Sequence, residues 1–379
     1  MFVKPVSAGL LAALLAGSAL GAPTPGVTLD KAAYEKMQAL LKDRRDTLRE
    51  VLQARQAQYD AGRLSPAEMI EARRALLHAE LDLATVPGRA ALNDALAKQV
   101  KEQEEYARAL FEAGRITPGE YAAAQADCRA EDIRLLRERA GPRPTEAQSA
   151  ALRKLQRERL AFLRKAQEQQ EKAFEAGRAI PAAVSKPVRL VLEAELDLAE
   201  RPADRVAAYR RYAAGCQDRA RLEDELFDAG RARSRDHDDA AAERLRAEIG
   251  LLLAGGKLTP EEAGRLKAMR RDRWRHCAGA VNAALAELKG GVAPFDLYVE
   301  LSAHLSEAEQ DLAEGAAGRV AARHPHLTRL REAEELGKAL LDAGRIPAPD
   351  YLKVKAARLE AEAAFVRAGG KPAPTGAGR

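Results

Sequence analysis

Six histidines and three cysteines are the side chains of this 379-residue sequence best suited to metal binding or nucleophilic chemistry. A zinc centre needs three or four nitrogen or sulfur ligands brought to one point. His78, His237, His276 and His304 are scattered, and only His324-Pro325-His326 forms a close pair. The proline between the two suggests a loop at a helix break, and no Cys or third ligand lies nearby. His276 and Cys277 are adjacent; on a helix neighbouring side chains diverge by about 100°, which is poor geometry for a Cys–His nucleophile pair. Cys128 and Cys216 lie in helix-like stretches and read as small packing residues. Acid pairs such as Glu80/Asp82 stand two residues apart, face different ways on a helix, and read as a solvated face. Arg270–Arg275 is the densest basic run and holds the single tryptophan, Trp274. The simpler reading gives Trp274 a core or hairpin-packing position while the arginines snorkel; the sharper one makes it a surface anchor for anionic lipid or a partner. No catalytic, cofactor-binding or metal-ligand set is expected.

The elements that carry these residues are helical. Aromatics make up 4% of the chain and charged residues 31%, with Ala, Leu, Glu and Arg abundant. That composition favours helix and lacks the β-branched and aromatic residues of a barrel or sandwich. A hydrophobic fraction of 46% suffices for a core. The net charge is +5, but acids and bases are interleaved, which disfavours a nucleic-acid partner that would need basic charge on one face.

Residues 1–21 read as a signal peptide. Lys4 supplies the positive start, Val6 to Leu20 the apolar stretch, and Ala19-Leu20-Gly21 small residues for cleavage after Gly21. The expected location is therefore outside the cytoplasm, in the periplasm or cell envelope. Charges interrupt every later apolar run, so no membrane span is expected in the mature chain, although peripheral membrane contact remains open.

Internal repetition follows. Ala-Gly recurs at 140–141, 254–255 and 368–369. Ala-Glu-Leu-Asp-Leu-Ala at 79–84 returns at 194–199, and as Ala-Glu-Gln-Asp-Leu-Ala at 308–313. Gly88-Arg89-Ala90-Ala91, Asp204-Arg205-Val206-Ala207 and Gly318-Arg319-Val320-Ala321 share the same period of 114–116 residues. We read an all-α chain of three tandem repeats of αα-hairpins, at 28–141, 142–255 and 256–369, with a disordered Pro/Gly tail at 370–379.

Each repeat divides again at an Ala-Gly-Arg motif or its relic, which assigns turn glycines at Gly62, Gly114, Gly177, Gly230, Gly291 and Gly344. Glycine accepts the left-handed conformation that ends a helix. Ser65-Pro66-Ala67-Glu68 and Thr117-Pro118-Gly119-Glu120 then read as capping boxes with proline at the first helical position. Repeats two and three lack these boxes at the equivalent sites, so looser turns are expected there, although Thr145 and Thr259 read as capped starts of the first helix in each. Repeat one reads as helices near 30–60, 66–85, 89–112 and 118–139. Met69, Ala72, Leu76, Ala79 and Leu83 form a narrow coiled-coil-like seam, repeated by Tyr298, Leu301, Leu305, Ala308 and Leu312.

The run Tyr59, Gly62, Ser65, Glu68, Met69, Ala72 resembles the helical hairpins of TolC-type outer-membrane efflux proteins, over about 30 residues per copy and without barrel strands. The signal peptide with tandem Ala-Gly-Arg and Ala-Glu-Leu-Asp-Leu-Ala units more closely resembles uncharacterised exported helical-repeat proteins of planctomycete-type bacteria. Leu258-Thr259-Pro260-Glu261-Glu262 before a basic helix is similar to helix starts in Spy/CpxP-like periplasmic chaperones. The export signal, the helical repeats and the lack of a catalytic set point to a non-enzymatic structural or protein-interaction module of the cell envelope; the first and third resemblances imply the alternatives, a periplasmic part of a TolC-like assembly or a Spy/CpxP-like periplasmic chaperone. Its protein partners are not readable from sequence.

Overall fold

The computed structural model describes residues 29–176 and 181–371. The leader at 1–21, the turn at Gly177 and positions 372–379 of the tail lie outside the described residues. Within them the chain is all-helical, with no strand.

The helices are α1 (Lys31–Asp60), α2 (Pro66–Leu83), α3 (Val86–Glu112), α4 (Pro118–Ala140), α5 (Glu146–Glu175), α6 (Pro181–Leu198), α7 (Pro202–Asp228), α8 (Ser234–Ala254), α9 (Pro260–Lys289), α10 (Phe295–Leu312), α11 (Gly315–Ala321), α12 (His324–Asp342) and α13 (Ala348–Arg367).

Their ends are set by local chemistry. At the end of α3, Gly114 takes φ 65°, where any Cβ would be strained. The Gly114 amide donates to the Phe111 carbonyl at 2.9 Å, and the Arg115 amide to the Leu110 carbonyl at 2.8 Å. This paired arrangement satisfies carbonyls the helix would otherwise leave open. Gly62, Gly230, Gly291 and Gly344 also have positive φ and the same pair of bonds. The following helix starts on a side-chain cap: Thr117 Oγ1 accepts from the Glu120 amide at 3.2 Å, while Glu120 Oε2 accepts from the Thr117 amide at 2.8 Å. Ser65 with Glu68, Thr145 with Gln148 and Thr259 with Glu262 do likewise. By contrast, α8, α10 and α13 start after Arg233, Pro294 and Pro347 with no side-chain cap.

The described residues form two compact units, 29–92 with 281–371, and 93–176 with 181–280. The divisions fall inside α3 and α9, away from the boundaries marked by the sequence period. In the first unit the last helix lies on the first. Leu359, Ala363 and Val366 of α13 pack with Met37, Leu40 and Leu41 of α1. Ala356 meets Leu48 and, from α2, Ala79. In the second unit, Ala126 of α4 meets Leu163 of α5 and Ala194 of α6 in the matching positions. Thus α13 sits against α1 and α2 as α4 sits against α5 and α6. Alanine at the meeting points lets helix backbones approach closely. Gly119 serves the same end, since a Cβ there would stand 2.9 Å from Gln169 Cβ of α5. The second unit also holds a cluster of Leu192, Ala208, Tyr212, Cys216 and Ala247, and another of Leu245, Ile249, Leu266 and Met269.

Among the described residues, no helix is long and apolar enough to cross a membrane.

Candidate functional site

The chemically distinctive region of the first unit joins a buried ion cluster to a cavity. Arg44 of α1 is buried, and its guanidinium donates to Asp82 of α2 at 2.9 Å and to Glu360 of α13 at 3.0 Å. Burial raises the carboxyls of both Asp82 and Glu360 above the ordinary carboxylate range, and Arg44 pulls them back only in part. The Oε1 of Glu360 and the Nε of Arg44 are buried with no hydrogen-bond partner among the described residues. Asp82 therefore corrects the reading of Glu80/Asp82 as a solvated face. Its register repeats in the second unit, where Asp197 stands 3.9 Å from Arg159 and 3.4 Å from Arg137. Glu195 is likewise buried and held by Arg164 and Arg211, each at 2.8 Å. Periodicity could not show this, because an acid on a polar helix face looks the same whether it meets water or an arginine.

Glu360 also lines a cavity of about 240 Å³. Val299, Ala303, Leu330, Ala357, Ala361 and Ala364 give it apolar walls. Ser306, Glu307, Gln310, Arg323, His326 and Glu360 supply its polar groups. Arg323 lies between α11 and α12. Its Nε donates to Gln310 Oε1 at 3.1 Å and its Nη1 to the Ala364 carbonyl at 3.4 Å. Among the described residues no carboxylate pairs with it, and burial lowers its pKa. His326 Nδ1 lies 2.8 Å from Ser302 Oγ, which accepts from Arg329 Nε at 2.9 Å. The Ser302 hydroxyl thus links Arg329 to His326. Burial and the nearby Arg329 charge push the His326 pKa down to about 4, so the ring is neutral near pH 7.

The His324-Pro325-His326 run is not a loop: it opens α12, directly after the break at residues 322–323. Proline is tolerated in a first helical turn, where its missing amide proton has no intrahelical acceptor. The pair also divides, since His324 meets Phe365 edge-on at 6.0 Å while His326 lines the cavity.

In the second unit, His276 Nδ1 lies 2.9 Å from Asp238 Oδ1, and His237 Nε2 lies 3.0 Å from Asp224 Oδ1. Cys277 is a buried free thiol. Cys128 and Cys216 are also buried free thiols, and burial pushes the Cys216 pKa up to about 12. Trp274 is 40% exposed, so it is not a core residue. Among the described residues, no three His, Cys, Asp or Glu side chains gather in a metal-binding arrangement.

Two turns of the second unit present matching exposed aromatics. Phe111 stacks on Tyr121 with ring centres 4.8 Å apart, and Phe227 on His237 at 4.7 Å. Phe111 is 36% exposed and Phe227 40% exposed, in a surface otherwise rich in charge.

No protein-family model matches this chain, and no curated protein matches it.

Proposed function

We propose that this chain is a non-enzymatic, exported helical-repeat protein that acts in the bacterial cell envelope by binding partner proteins at equivalent places along its repeats. Helix lengths support the repeat reading. Thirty, 18 and 27 residues occur in α1 to α3 and again in α5 to α7. The first two lengths return in α9 and α10. The matched packing of Ala126, Leu163 and Ala194 with Ala356, Leu48 and Ala79 supports it further.

The observation that carries the interaction reading is the recurrence of the exposed stacks Phe111/Tyr121 and Phe227/His237, 116 residues apart. Their place in the repeat is the same: each joins the last turn before a glycine stop to the first turn of the next helix. Core packing alone would bury such rings. Exposed aromatics at a rigid helical turn suit an interface, because they offer large contact area and lose little conformational freedom on binding. Two copies on one chain would add avidity.

The test replaces Phe111 and Phe227 with Ser, singly and together, and measures capture of native envelope proteins by cross-linking. Each variant should keep its helical circular dichroism. The single changes should weaken capture and the double change should remove most of it. Full capture by a folded double variant would end the interaction reading.

A further inference from the structure

We propose that the cavity between α10, α12 and α13 binds a short aliphatic monocarboxylate, with its headgroup on Arg323 and its chain against Val299, Ala303, Leu330 and Ala361.

The headgroup follows from the charge pattern around the cavity. Arg323 is the cavity's unbalanced ion, because its two contacts are to the neutral oxygens of Gln310 and Ala364. Those contacts orient the guanidinium and leave the rest of its five-donor fork available. A carboxylate is the acceptor that matches such a fork with two parallel bonds. The other polar groups do not displace it from that role. Glu360 already has Arg44 as its cation at 3.0 Å, and burial raises its pKa above the ordinary carboxylate range. His326 is neutral and engaged with Ser302, so it neither competes for the anion nor repels a cation. Glu307 is exposed, where water screens its charge.

The chain length follows from the volume. The site is a cleft open to solvent on one side, and at roughly 30 Å³ per water-sized group its 240 Å³ covers about eight non-hydrogen atoms. Hexanoate has that number. Alanines at 303, 357, 361 and 364 keep the walls low, and Val299 and Leu330 supply branched apolar surface, so an unbranched aliphatic chain fits better than a ring. This inference is independent of the interaction reading, since none of its residues belongs to the aromatic turns.

Isothermal titration of the full chain with hexanoate near pH 7 tests it, with hexylamine and hexanol as matched probes. Hexanoate should bind once per chain, hexanol more weakly, and hexylamine not at all. Arg323→Met should weaken hexanoate about ten- to a hundredfold, the range expected for losing charge-assisted hydrogen bonds. Ala361→Leu keeps every charge and fills the cavity, so it should abolish binding. Circular dichroism checks that each variant is folded, and the three probes on the unaltered chain decide the matter if either variant is not. Hexanoate that fails to bind, hexylamine that binds as tightly, or hexanoate binding unchanged in folded Arg323→Met or Ala361→Leu would each overturn the proposal.

Discussion

Replacing Arg44 with Met removes the guanidinium that is hydrogen-bonded to both Asp82 and Glu360. The Arg44 side chain is 7% exposed, and its two partners lie at 2.9 and 3.0 Å on different helices. Removing one member of a buried pair costs about 3–5 kcal/mol, chiefly because the remaining charge is stranded. Here two carboxylates are stranded, but both can take up a proton instead. The loss therefore depends on pH, and its sign is set by the direction of the shifts. Both carboxyls already have raised pKa values in the folded protein, and losing Arg44 raises them further. A raised carboxyl contributes stability that is complete below its unfolded pKa and is lost as pH rises through its folded pKa. Each such proton adds a slope of up to about 1.4 kcal/mol per pH unit within that window. Arg44→Met should thus be mildly destabilising near pH 5 and should approach or exceed the 3–5 kcal/mol range near pH 8. Urea unfolding followed by circular dichroism at the two pH values measures this. Arg44→Met/Asp82→Leu/Glu360→Met/Arg367→Met, which also removes the part-buried cation beside the two carboxyls, should recover most of the loss and flatten its pH dependence. A loss below about 1 kcal/mol at both pH values, or one that does not grow with pH, would refute the reasoning.

Gly114→Val should cost about 1–2 kcal/mol by forcing a β-branched residue to φ 65°, whereas Glu105→Gln on the exposed face of α3 should stay within about 0.5 kcal/mol in the same urea assay. His326 should titrate near pH 4 by NMR, well below its usual 6.5, and its contribution to stability should be complete above 6.5 and be lost as pH falls towards 4; His326→Gln should remove that dependence. Cys216, with a pKa pushed up to about 12 and a buried position, should resist iodoacetamide at mildly alkaline pH in the folded protein and react promptly in urea.

Much of the secondary structure is legible in short stretches of sequence, because helix starts and stops are decided within a few residues. Ser65 with Glu68 and Thr117 with Glu120 close capping boxes three residues apart. Gly62 and Gly114 supply the one backbone conformation that lets the Arg63 and Arg115 amides reach back to the preceding helix. Ala72 and Ala79 are buried at the helical spacing that marks them as seam residues. Composition alone was enough to favour helix over strand throughout.

Tertiary structure decided which faces meet. Arg44 and Glu360 are 316 residues apart, and nothing in the periodicity of α1 or α13 says that these two helices are neighbours. The seam residues therefore named a buried face without naming its partner, and the Ala79 seam turned out to receive Ala356 from the far end of the chain. The same gap explains Asp82, Trp274 and His326. Each lies on a helix whose local pattern is satisfied whether the side chain meets water, an arginine or a cavity wall. Burial and charge pairing are properties of the space between helices, and that space is created only when segments hundreds of residues apart pack together.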